Sequence, residues 1–157
     1  MALQKRILSV SDLMHLPQPE WAIEGLFERN AIIMLAGPPA SCKSFMALDW
    51  TLHMATYRRW YGRQTMTGKT LYVLGEGKSS VRKRIQAWIK HYQLTPMEEQ
   101  RLAENFRITF DVPQMAHKGE IDHLLRQLEH AQFKPDVIVI DTFARSFVGL
   151  DENSQQD

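Results

Sequence analysis

AIIMLAGPPASCKS, residues 31–44, is the stretch on which the reading of this chain turns. Its first half, Ala31 to Ala36, is a short apolar run rich in branched side chains and closed by Gly37, the pattern of a buried strand. Its second half comes close to the phosphate-cradling pattern G-x-x-x-x-G-K-[ST]: Gly37, Lys43 and Ser44 match, and Cys42 stands where the second glycine belongs. In such a loop the backbone from Gly37 through Pro38, Pro39, Ala40, Ser41 and Cys42 curls around phosphate groups. The helix beginning near Lys43 points its positive dipole end at them, Lys43 reaches the outer phosphates, and Ser44 ligates magnesium. The plainer alternative is a strand-to-helix turn that happens to contain a lysine. Glycine before the lysine lets the backbone approach the phosphates without a side chain in the way, so Cys42 is expected to weaken nucleotide binding without abolishing it.

Outward from this loop, strand and helix signals alternate. Upstream, SVSDLMHLP is a short capped helical turn, and PEWAIEGLFERN leads into the apolar run. Downstream, a helix runs from Lys43 to near Tyr57, with Phe45, Leu48, Leu52 and Ala55 on one stripe and Met46, Trp50 and Met54 on the next, so it is expected to be covered on more than one side. RRWYGRQTMTGK is a polar connector, and TLYVLGEG is a second buried strand. In SSVRKRIQAWIKHYQL the residues Val81, Ile85, Trp88, Ile89 and Tyr92 recur at helical spacing. Thr95-Pro96-Met97-Glu98 is a capping box with proline at the first helical position, starting a short helix to about Glu104. FRITFDV is a third strand, GEIDHLLRQLEHAQ a helix with Ile121, Leu124, Leu125 and Leu128 on one face, and PDVIVID a fourth strand. This order predicts an α/β fold with a mostly parallel sheet covered by helices on both faces. There is no internal repeat, low-complexity segment or linker, so residues 1–157 read as one domain with a lead-in over 1–30.

In a sheet of this kind ligands sit at the carboxyl ends of the strands, where two carboxylates fall. Glu76 lies between two glycines at the end of LYVLGEG, exposed and approachable, as a group polarising an attacking water must be; taken alone it reads first as a solvated loop glutamate. Asp141 follows four β-branched residues in VIVID, the usual form of a magnesium-positioning acid in phosphate-loop enzymes, or else an aspartate capping the next turn. The two carboxylates and the loop support one another because all three emerge on one edge of one sheet.

Composition limits the rest. The 157 residues are 44% hydrophobic and 24% charged, the balance of a globular domain with a real core. A formal net charge of +1 gives no global attraction to nucleic acid, so any DNA contact needs a local patch. No stretch approaches the roughly 20 apolar residues of a membrane helix, the start lacks a secretory signal, and cytoplasmic residence without membrane contact is expected. The single cysteine excludes an internal disulfide framework. His117, His123 and His130 lack partners at metal-ligand spacing and read as surface residues. Arg58, Arg59 and Arg63 beside Trp60 and Tyr61 suit either single-stranded DNA or packing over the sheet edge; Arg82-Lys83-Arg84 is the charged face of a helix.

Together WAIEGLFERNAIIMLAGPPASCKSFMALD, LYVLGEG and VIVIDTFARSFVGLDENS resemble the RecA-like ATPase core of the RepA-like hexameric replicative helicases and their phage and plasmid relatives, in order from about Glu20 to Asp157. The resemblance implies a P-loop NTPase that uses ATP and Mg2+, assembles as a homo-oligomeric ring, expected to be a hexamer, and moves along single-stranded DNA. It makes Lys43 and Ser44 the phosphate-loop lysine and the magnesium ligand, Glu76 the catalytic glutamate that activates water, and Asp141 the second-strand acid acting on magnesium. Arg145 falls where DNA or a ring neighbour would lie. Tyr57, like Cys42, stands where relatives carry glycine. The resemblance also implies a further strand after the one ending at Asp141, lying between it and the Ala31–Ala36 strand. On this reading the chain is a truncated core with a gapped sheet and low stability. Two other functions share the loop: a nucleotide-binding module with little turnover, and a small-molecule phosphotransferase.

Overall fold

A computed structural model of the chain describes residues 9–141. Helix α1 (Val10–Met14) is opened by a capping box in which the Ser9 hydroxyl accepts from the Asp12 N–H and the Asp12 carboxylate accepts from the Ser9 N–H. Strands β1 (Trp21–Ile23) and β2 (Phe27–Glu28) form an antiparallel hairpin that turns through Gly25 at φ +66°. The sequence signals did not mark this hairpin. The hairpin is tied to the 58–69 connector, the Glu24 N–H donating to the Gln64 carbonyl and the Met66 N–H to that of Ala22. Ala22 and Ile23 pack with Met54, Trp50 and Trp60.

The main sheet has three strands, β3 (Thr70–Leu74), β4 (Phe106–Thr109) and β5 (Val137–Asp141), in the order β4-β3-β5, and every pairing is parallel. Central β3 is buried along its whole length, as its unbroken apolar run predicts. The two-residue period of a strand sends Tyr72 and Leu74 to one face and Leu71 and Val73 to the other. On the first face Tyr72 and Leu74 meet Leu48 and Leu52 of α2 (Lys43–Thr56) and Val81 and Trp88 of α3 (Lys78–Tyr92), with Leu102 of α4 (Pro96–Asn105) packed alongside. On the second face Leu71, Val73 and Phe133 meet Leu124 and Leu128 of α5 (Lys118–His130). Helices therefore cover both faces. Helix α4 opens with the Thr95–Glu98 capping box, Pro96 being its first residue.

The structure departs from the sequence reading in three places. Residues 31–36 belong to no strand: Ile32 is fully exposed, Met34 is 73% exposed, and no sheet covers them among the described residues. A run of apolar residues expresses a local preference, but a strand exists only where a neighbouring chain satisfies its backbone, and here no described strand lies beside it. Helix α2 is covered on more than one side in its second half only; Leu48 and Thr51 to Thr56 are buried, whereas Phe45 and Met46 near its start are exposed. Strand β5, for all its β-branched composition, is half-buried, with Ile138 45% exposed. Arg145 and the whole of FARSFVGLDENS lie outside the described residues.

Candidate functional site

The 37–44 loop leaves the exposed 31–36 segment and runs into the first turn of α2. A Cβ at Gly37 would come within 2.9 Å of the Ser41 Oγ, so any side chain there would turn the Ser41 hydroxyl aside. Cys42, at the residue before the helix, has φ 61° and ψ 19°, the left-handed conformation that costs a side-chain-bearing residue about 1–2 kcal/mol. The glycine of the phosphate-loop pattern thus corresponds to a real backbone demand, which cysteine meets under strain. The start of α2 has no side-chain cap and no acidic residue in its first turn. Its leading N–H groups and dipole are therefore left for an anion rather than quenched internally.

Lys43 folds back over the loop, its Nζ donating to the carbonyls of Gly37 (2.7 Å) and Pro38 (2.8 Å) and lying 3.4 Å from the Ser41 Oγ. Pro38, Pro39 and Ala40 are exposed, and Ala40 is also left-handed at φ 63°. The loop holds its own cation over the space where its backbone curls.

Ser44 and Asp141 are 97 positions apart and meet: the Ser44 Oγ donates to the Asp141 Oδ1 at 3.0 Å. The alternation of β5 puts Val137, Val139 and Asp141 on the α2 side of the sheet, and the first turn of α2 brings Ser44 to it. A hydroxyl and a carboxylate at this spacing are hard oxygen donors, a set that fits a hard divalent cation such as magnesium. The second oxygen of Asp141 accepts from the Tyr72 hydroxyl at 2.9 Å, and that hydroxyl lies 3.3 Å from the Ser44 carbonyl oxygen. Burial raises the Tyr72 phenol far above its usual range, and the negative Asp141 it bonds raises it further, against the nearby positive charge of Arg84. It therefore stays a neutral donor. Tyr72 was missed as a site residue, although a tyrosine in an otherwise aliphatic buried strand must find a partner for its hydroxyl.

Glu76 lies two residues beyond Leu74, which pairs with Asp141 in the β3–β5 register, and the Gly75 N–H reaches the Asp141 carbonyl at 3.4 Å. It is exposed. The structure thus brings the loop, Ser44, Asp141 and Glu76 to one edge of the sheet. Arg145, the remaining expected contact, lies outside the described residues.

The outer side of α2 borders an open cleft of about 660 Å³ lined by Cys42, Phe45, Met46, Trp60, Trp88 and Tyr92, among others, with the Arg84 guanidinium 4.4 Å from the Phe45 ring centre. Its floor is set by Asp49, whose carboxylate accepts from Trp60 Nε1 (2.8 Å) and Trp88 Nε1 (2.7 Å) and lies 3.2 Å from His53 Nδ1. Burial pushes the Asp49 carboxyl up, but those hydrogen bonds and the adjoining His53 outweigh it and hold the group below its ordinary value.

Arg58, Arg63 and Trp60 of the connector have partners within the fold, whereas Tyr61 is 80% exposed. Arg58 pairs with Glu98 at 2.6 Å and donates to the Tyr92 carbonyl, Arg63 donates to the Glu24 carbonyl, and Trp60 packs edge-on against Trp50. His117, His123 and His130 are exposed, His123 lying 3.9 Å from Asp111. No described helix is long and apolar enough to cross a membrane.

A three-stranded parallel sheet between helices, with a glycine-lysine loop opening a helix beside the sheet's carboxyl edge, defines a P-loop NTPase-type core. The AAA domain family matches residues 4–157, and the chain belongs to that family of ATPase-type nucleotide-binding modules. None of the curated proteins matches it.

Proposed function

We propose that the chain is the ATP-binding and hydrolysing core of a helicase-like motor acting on DNA in replication or recombination, with Mg-ATP held by the 37–44 loop. The observation that carries this reading is the meeting of Ser44 and Asp141 at 3.0 Å beside a loop whose lysine, among the described residues, bonds loop oxygens and no carboxylate. In this role Lys43 exchanges the Gly37 and Pro38 carbonyls for the outer phosphate oxygens, a stronger, charge-assisted bond. The open first turn of α2 receives the inner phosphates. Ser44 and Asp141 hold magnesium, which when bound neutralises charge on the phosphate oxygens. Glu76, at the same sheet edge, takes the proton of the attacking water. The aromatic walls of the cleft beside Cys42 offer stacking faces to the base. Single-stranded DNA and a homo-oligomeric ring are the partners this reading carries, from the resemblance set out above.

The test is magnesium-dependent binding of a non-hydrolysable ATP analogue. Lys43→Ala is expected to remove binding, and Cys42→Gly to strengthen it, because glycine lets the backbone approach the phosphates without a side chain in the way. No magnesium-dependent binding by the folded native chain would overturn the reading. ATP hydrolysis stimulated by single-stranded DNA is the outcome expected of a motor. The strained backbone at Cys42 favours a second reading, a module that binds nucleotide with little turnover; hydrolysis above background that Glu76→Gln abolishes would exclude it.

A further inference from the structure

We propose that Tyr72 is a positioning residue for the magnesium site, fixing through its hydroxyl which oxygen of Asp141 faces Ser44. This rests on the assignment of Ser44 and Asp141 made under Proposed function. Three observations carry it. Tyr72 is 1% exposed and clamped in the centre of β3, between Leu48 and Leu52 of α2 and the neighbouring strands, so its ring has no freedom to follow a moving partner. Its hydroxyl has one proton to give, and the charged Asp141 Oδ2 at 2.9 Å is a better acceptor than the Ser44 carbonyl at 3.3 Å. The register Tyr72↔Val139 places the ring two residues before Asp141 on the same face, so the phenol reaches the carboxylate from below while Ser44 approaches its other oxygen.

A carboxylate alone on a strand end turns about its terminal torsion over a broad range. With Oδ2 tied to Tyr72, that rotation is closed, and Oδ1 stays directed at the Ser44 hydroxyl. The same hydroxyl lies against the first turn of α2, so it also sets the height of Ser44 relative to β5. Groups that orient a metal ligand in this way alter metal affinity by about 10–100-fold when removed. Tyr72→Phe deletes the hydroxyl and keeps the ring that fills the core.

The experiment measures Mn2+ affinity, by the loss of free-ion EPR signal, in the presence of a non-hydrolysable ATP analogue for the native chain, Tyr72→Phe and Asp141→Asn. Analogue binding in EDTA and thermal melting are recorded for each. The expected result is Mn2+ affinity about 10-fold weaker in Tyr72→Phe with metal-free analogue binding unchanged, and a melting temperature lowered by the loss of one hydrogen bond to a charged group. Native Mn2+ affinity in Tyr72→Phe alongside a loss in Asp141→Asn would overturn the role of Tyr72 and leave the magnesium assignment standing. Native affinity in both variants would overturn the two together. Should Tyr72→Phe fail to fold, 3-fluorotyrosine placed at position 72 answers the question without removing the hydroxyl. Its 19F resonance should shift on adding Mg2+ with the analogue and stay fixed in Asp141→Asn; a resonance blind to Mg2+ in the native background sinks the proposal.

Discussion

Cys42 and Tyr57 bracket α2, and both have backbone angles that glycine adopts without cost: φ is 61° at the first and 65° at the second. At the carboxyl end this left-handed residue lets the Arg58 N–H turn back to the His53 carbonyl at 2.9 Å and close the last turn. At both positions the chain keeps a glycine-like backbone conformation, and each is strained. Cys42→Gly is expected to raise unfolding free energy by about 1 kcal/mol, read from a denaturant melt, while Cys42→Ala leaves it unchanged. Tyr57→Gly should gain less, because the Arg101 guanidinium stacks 4.8 Å from the Tyr57 ring centre and that contact is lost. The spacing of Gly37, Lys43 and Ser44 disclosed the loop. That Cys42 keeps the glycine conformation was not legible, since cysteine's own preference points elsewhere.

Between elements, Asp49 does the most connecting. From the middle of α2 it accepts indole N–H groups from Trp60 in the connector and Trp88 in α3, with His53 one turn along beside it. Helical spacing put Trp50 and Trp88 on apolar stripes, but it held no sign that a carboxylate would tie the connector and α3 to α2. Asp49→Asn leaves an amide facing one of the two indoles and is expected to cost about 2 kcal/mol at neutral pH. The pH dependence has a definite sign. A carboxyl held below its ordinary value stabilises the fold above the unfolded value of about 3.9, and that contribution is lost as pH falls through the lower folded value. The gap in melting temperature between the native chain and Asp49→Asn should therefore close below about pH 4; a gap constant down to pH 2 would refute the assignment.

Among the described residues both faces of the sheet are covered by helices, and no strand or helix pairs with its β5 edge. Among the described residues β5 has β3 as its one strand partner, and Ile32, Ile33, Met34 and Leu35 stand exposed nearby in sequence to the phosphate loop. An open strand edge together with an apolar segment is a site of self-association. Replacing Ile32 and Met34 with lysine should lower the association of the 157-residue chain in sedimentation velocity without moving its melting temperature, because neither side chain is buried in the fold. A large drop in melting temperature would show instead that the segment packs in solution.

The parts whose signals lie within a few residues are legible in the chain alone. These are the loop that opens α2, the Thr95–Glu98 capping box, the all-apolar centre of β3, and the placing of Glu76 and Asp141 at strand ends. What those parts meet depends on the folded arrangement. Among the described residues it gives 31–36 no strand neighbour, joins Ser44 to Asp141 across 97 positions, and sets Tyr72 beneath them. Local sequence carries torsional preference and apolar periodicity. Pairing across such separations depends on the path of the whole chain, which no short stretch encodes.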